Sequence, residues 1–502
     1  VEGNTSISSA STISIASASE MKLEDGVSLT YEGDAISLNA NKLSVSGGGS
    51  LVLKADGSNP LTLNNKDSEL EFSGNSANST TTVSHVKVNS GDTANMPVLR
   101  MTESGVIKNL TQQEFAEVNF AGGKTLTLEE AFAVPASKQM NISGAAGILK
   151  TASSISLAGT LSVSAANPSL EGGTVALSGG TLKAENDITV KSDLTSQADS
   201  SISVAAGKTI TYTGSVINVG NHTLKLSGGG TLANTNNLTI DNAGSKLTIS
   251  DSTKVSRMLV SASGTGNGIT ISGSSANFTG NLVENLQLNS SLSVASDVAW
   301  SVGSITAGSA LTFSNDKDLS VGSLSLNGSA KMNLGTSDIT VSVSNPVSVG
   351  DTQIIRNGGG SFKFSGGLTL ATGSELVGQG QKVSGDIVLN GGKVTAEKNT
   401  EIPNNISVSA DSTIEIDSSQ ALTYGGQAIE LGASKLKIQG GGSFVTQTVP
   451  IRLNNAVSGL ELDNVIVSNV SVTAASSQGI LKTSSATVDT LSLDDKLRLS
   501  VA

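Results

Sequence analysis

The chain has 502 residues, with 30 Lys plus Arg against 42 Asp plus Glu, a formal net charge of −12, and 14% charged residues overall. That density is too low for a charge-driven disordered chain, an acidic balance gives nucleic acid no electrostatic footprint, and no stretch approaches the ~18 apolar residues of a membrane helix. Aromatic residues at 3%, one Trp and no Cys leave material for a thin core only, and exclude disulfides, Cys-bound zinc and thiol catalysis.

From the N-terminus, Val1 is followed by no basic-then-apolar leader, the pattern expected of a processed, exported chain whose signal has been removed. Apolar pairs with one residue between them then begin at Met21, Leu29, Ile36, Leu43, Leu51 and Leu61. This x-apolar-x-apolar-x pattern is the period-2 signature of a strand with one buried face, and Gly, Asn, Asp and Ser between the pairs suit turns. Residues 30–51 read TYEGDAISLNANKLSVSGGGSL, 211–232 read TYTGSVINVGNHTLKLSGGGTL, and 423–444 read TYGGQAIELGASKLKIQGGGSF. Sixteen residues separate Tyr31 from Gly47, Tyr212 from Gly228 and Tyr424 from Gly440. A weaker copy ends in Gly358-Gly359-Gly360, and Gly147-Ile148-Leu149-Lys150-Thr151 recurs at 479–483. The stretch 110–140 repeats least and is expected to hold a protruding loop or short helix.

Short strands at steps of seven to ten residues fit either an antiparallel sandwich or a coil of stacked parallel strands. The length, the scarcity of aromatics and the lack of linkers between copies favour the coil. The expected fold is therefore all-β: one continuous elongated parallel β-helix over residues 1–502, about three strands per coil and roughly 20–25 residues per coil. Its repeat sections are expected at 19–199, 200–410 and 411–502. Tyr31, Tyr212 and Tyr424 read as corner residues that cover the core, with Gly47, Gly228 and Gly440 allowing positive φ or close chain approach.

The runs Ser-Gly-Gly-Gly-Thr-Leu at 227–232, Gly-Gly-Thr-Leu at 179–182, and Gly-Gly-Gly-Ser-Phe at 358–362 and 440–444 resemble the GG-T-L strand motif of autotransporter passenger and adhesin β-helices. The resemblance implies an exported bacterial rod, displayed on the cell surface or released. Residues 480–502 depart from that family in lacking the aromatic-rich alternation of its translocator barrel.

Chemical motifs are sparse. Gly123-Lys124-Thr125 and Gly207-Lys208-Thr209 lack the upstream Gly of a phosphate loop, where Val118 and Ile202 stand. Ser19 and Lys22 have the Ser-x-x-Lys spacing, but three residues along a strand point to opposite faces. His85 and His222 are isolated, which argues against a His triad or zinc site. A polysaccharide-cleaving site would stack acids on neighbouring coils, and Asp187, Asp193, Asp241, Asp251, Glu415, Asp417 and Glu430 are the candidates; Trp300 is the lone Trp to serve a sugar platform. Calcium β-roll nonapeptides are absent, and isolated Ca²⁺ sites in turns stay open.

The expected function is that of a non-enzymatic extracellular structural or adhesive rod, with no cofactor and no resident metal, whose Ser, Thr and Asn faces contact host surfaces or glycans. The alternative is a β-helical polysaccharide lyase or hydrolase. Alternation at Ile13 and Ile15 and at Leu497 and Leu499 reads as terminal strands ready to pair, so head-to-tail self-association into a filament is the expected partnership.

Overall fold

The computed structural model describes residues 1–54, 57–74, 79–242, 244–261, 268–272, 281–296, 298–308, 310–315, 317–335, 339–446, 450–474, 479–488, 491–493 and 498–501. Among the described residues there are sixty short strands and no helix. The strands stack in parallel as a β-solenoid of about 20 turns. Contacts divide the chain into two compact units, residues 1–240 with 244–257, and residues 241–243 with 258–502.

Within the first unit each coil lays down up to three strands, and each strand pairs with its counterpart one coil on. On one face Leu43, Leu70, Leu99, Val118 and Ile142 are successive in-register partners. All five are buried, and their neighbours Val45, Phe72, Met101 and Phe120 form a second inward ladder. Each such side chain contributes about 1.5–3 kcal/mol by leaving water, so the core grows by one thin layer per turn and needs few aromatics. The second unit repeats the arrangement, with Ile355, Leu376, Val394 and Ile414 as successive inward partners.

Coil length is less uniform than strand length. Leu70 and Leu99 are direct partners 29 residues apart, whereas Leu99 and Val118 are partners 19 residues apart. Ladder register fixes the strands, because a one-residue slip would turn the apolar set outward. Corners carry no such constraint and absorb the insertions.

Two expectations are corrected. Residues 110–140 hold neither a helix nor a protrusion but continue the winding through Ala116–Phe120, Lys124–Leu128 and Phe132–Val134. Glu129 and Glu130 sit exposed at a corner while Leu126, Leu128 and Phe132 are buried. Burial of alternate apolar residues overrides the helix propensity of the Glu-Glu-Ala run. Ile13 and Ile15 are not on a strand open for pairing; they lie in irregular chain between the strands Thr5–Ile7 and Ser19–Lys22. The Ile13 N–H donates to the Tyr31 hydroxyl at 3.1 Å, Asn41 donates to the Ile15 carbonyl at 2.9 Å, and Ile15 is buried. Leu497 lies outside the described residues. Leu499 is on the strand Arg498–Val501, in register with Leu481, and remains 56% exposed.

Candidate functional site

Tyr31, Tyr212 and Tyr424 are the largest fully buried side chains. Each phenol ends at a corner of the preceding coil, accepting a backbone N–H at 3.1 Å: from Ile13, Leu194 and Ile406 in turn. Tyr31 donates to the Ser11 carbonyl at 3.0 Å and Tyr424 to the Gln427 carbonyl at 2.7 Å. Burial pushes the Tyr212 and Tyr424 phenols above their ordinary range, which keeps them neutral donors and acceptors. The glycine two residues on makes room: a Cβ on Gly33, Gly214 or Gly426 would stand 2.5, 2.7 and 2.6 Å from the phenol oxygen. Gly47, Gly228 and Gly440 have φ of +93°, +97° and +114°, and a side chain there would strike the backbone of Leu23, Val204 and Ile416. These six residues hold corners together and leave the Tyr hydroxyl no outward face.

The candidate acids are dispersed into coil-to-coil bonds. Asp187 accepts the N–H of Thr209 at 2.8 Å and Asp193 that of Ser215 at 2.8 Å. Asp251 accepts from the Gly228 N–H at 3.2 Å. Glu415 pairs with Lys393 at 3.1 Å and Glu430 with Arg452 at 3.1 Å. Asp241 takes a hydrogen bond from Asn242 at 3.2 Å, and Asp417 lies at the corner packed under Gly442. Among the described residues no three acids or His gather as a metal set.

The remaining motifs are also structural. Trp300 is 3% exposed, so its ring lies in the core and offers no outward platform. Lys124 pairs with Glu103 at 2.7 Å and Lys22 with Glu24 at 3.0 Å. The half-buried His85 meets Ser84 Oγ through Nδ1 at 3.0 Å, and His222 is half-buried in its turn.

What the sequence reading missed is how far polar side chains bridge the turns on one face. Lys42 reaches Glu69 at 3.1 Å and Glu71 at 2.9 Å. Arg100 clamps Glu69 with two bonds of 2.9 Å and donates to Asn119 at 3.1 Å, and Asn119 donates to Ser143 at 2.8 Å. Five successive coils are thus joined side chain to side chain. Burial alone would raise the Glu69 carboxyl, but the bonds from Arg100 and Lys42 outweigh it and hold the group below its ordinary range. In the second unit Lys393 bridges Glu375 at 2.9 Å and Glu415 at 3.1 Å, and Glu375 is depressed in the same way, burial being outweighed by Thr395 and Lys393. A second missed set caps corners: Asp187, Asp193 and Asp199 in one unit, and Asn399, Asn405 and Asp411 in the other, each accepting an N–H from the next coil. Each pair is 212 residues apart, the separation of Tyr212 from Tyr424, and that spacing is the signal that could have found them.

Comparison of the chain with protein-family profiles, with curated proteins and with solved structures finds no match.

Proposed function

We propose that this chain is a non-enzymatic extracellular scaffold or adhesin, of the kind represented by autotransporter passengers. The observation that carries the reading is that the acids a polysaccharide-cleaving β-helix would aim at its substrate here tie one coil to the next. An acid saturated by Arg100 and Lys42, as Glu69 is, has neither the raised pKa of a general acid nor an open approach for a sugar. What the strands turn outward is largely neutral. Asn285, Ser304 and Ser323 stand side by side on three coils, as do Gln287, Thr306 and Ser325. Such ranks make many weak hydrogen bonds to a surface or glycan and no strong single one.

The test is to incubate the purified chain with a panel of acidic and neutral polysaccharides, following both retention on the immobilised polymer and release of reducing ends. Retention without cleavage is expected; steady release of reducing ends would overturn the reading. Labelling intact source cells with antibody tests the surface location, and labelling only after permeabilisation would contradict it.

Self-association belongs to the same proposal. The strand Arg498–Val501 pairs with Ile480–Ser484 through one edge, and Leu499 and Val501 are exposed. Stacking of this edge on the coil containing Thr5–Ile7 of a second copy gives a head-to-tail filament. Micrographs of residues 1–502 should show filaments that disappear when residues 1–18 are removed; monomers, or unchanged polymers, would contradict it.

A further inference from the structure

The outward face of the strands Ser412–Ile416, Lys435–Gln439, Gly459–Asp463 and Ile480–Ser484 carries a hollow of about 500 Å³. That volume is within the about 300–1,000 Å³ of small-molecule sites. The hollow exists because Gly459 occupies an outward ladder position, between Lys435 and Ile480, where a side chain would otherwise stand. Its backbone does not need glycine: it is not among the residues with positive φ, and a Cβ would meet only the Lys435 side chain, nearest at 3.2 Å. Glycine inside a strand is a stability cost and often marks where something approaches closely.

The other two copies of the repeat have no such gap. Lys42, Thr223 and Lys435 each follow their Tyr by eleven residues, and their partners on the next coil are Glu69, Lys246 and Gly459. Only the third copy leaves the position empty of side chain.

The walls are chemically two-sided. Val457 is 58% exposed and Ile480 40% exposed, so the hollow has an apolar side held open to water. The other side is cationic in a chain of net charge −12. Lys435 has no acidic partner among the described residues, and Lys482 stands 3.7 Å from Glu461, a loose pairing. Lys437 is satisfied by Asp463 at 2.9 Å and so frames the hollow rather than serving a ligand. Arg498, exposed, lies in register beside Ile480.

We propose that this hollow is a binding site for an anionic saccharide, a uronic-acid residue whose ring lies over Gly459 with its C–H face on Val457 and Ile480. Its carboxylate meets Lys435 and Lys482. A ring needs the flat space that Gly459 leaves; a carboxylate needs the unpaired ammonium; a neutral sugar would leave that cation uncompensated. The site rests on its own geometry, and its failure would leave the scaffold reading untouched.

The experiment is calorimetric titration of the full chain with trigalacturonate and, separately, with neutral galactotriose. Saturable binding of the acid and none of the neutral sugar is expected. Gly459→Lys, which installs the residue found at the matching place in the second copy, and Lys435→Ala, which keeps the glycine, should each weaken binding by about tenfold or more with an unchanged circular dichroism spectrum. No binding of trigalacturonate, equal binding of galactotriose, or undiminished binding by both folded variants would overturn the proposal.

Discussion

The Tyr212 hydroxyl accepts the backbone N–H of Leu194 at 3.1 Å, with the tyrosine wholly buried and Leu194 eighteen residues earlier in the chain. One side chain thereby completes the hydrogen bonding of a corner in the coil below. Tyr212→Phe keeps the packing and leaves that N–H without a partner, which costs about 1–3 kcal/mol. The urea midpoint should fall, and the Leu194 amide should exchange faster with deuterium than its neighbours. An unchanged midpoint would mean that the corner N–H is served otherwise.

Gly228 has φ +97°, with the Val204 backbone directly against it. Gly228→Ala should destabilise by about 1–3 kcal/mol through backbone strain alone, before any steric contact is added. Alanine at the exposed Gly268, which meets nothing within 4 Å, is the matched control and should be close to neutral.

Asp193 and Asn405 perform one task in the two units, each accepting a backbone N–H from the following coil at 2.8 and 2.9 Å. The task needs a side-chain oxygen at that reach and not a charge. Asp193→Asn should therefore be nearly neutral, while Asp193→Ala should cost about 1 kcal/mol in equilibrium unfolding. Equal loss in both variants would point to the charge instead.

Glu69 titrates below its ordinary value of 4.5 because Arg100 and Lys42 more than offset its burial. A depressed carboxyl contributes stability that is complete above the unfolded-state pKa and is lost as pH falls through the folded-state value. Glu69→Gln should be less stable than the parent at pH 7, by about 1 kcal/mol for a pair this close to solvent. The gap should close as the pH is taken below 4.5. A gap that stays constant with pH would assign the loss to packing.

Much of the winding is legible in the order of residues. Leu29, Ile36, Leu43 and Leu51, read as inward members of successive strands, are all buried, because one inward side chain in two is the only pattern that feeds a thin shared core. The Tyr–Gly spacing is equally readable, since a recurrent Tyr in an aromatic-poor chain has a geometric cause. The stretch around Glu129 misleads because local helix propensity says nothing about the coils above and below. Ile13 misleads because its partner, the Tyr31 phenol, is eighteen residues on and belongs to a side chain. The Asp193 cap and the Arg100 clamp are illegible for a related reason. Their partners are 22 and 31 residues distant, and loops of unequal length set which residue meets which.

The stacking itself has a direct chemical readout, since the chain has no cysteine of its own. Thr211 and Ala233 are partners in adjacent parallel strands, both turned outward. The double variant Thr211→Cys with Ala233→Cys should close an intrachain bridge on mild oxidation or with a short bifunctional thiol reagent, because neighbouring parallel strands bring the two within disulfide reach. Thr211→Cys with Leu232→Cys, one residue out of register and facing inward, should not. Closure of neither pair, or of both alike, would contradict a backbone wound coil upon coil.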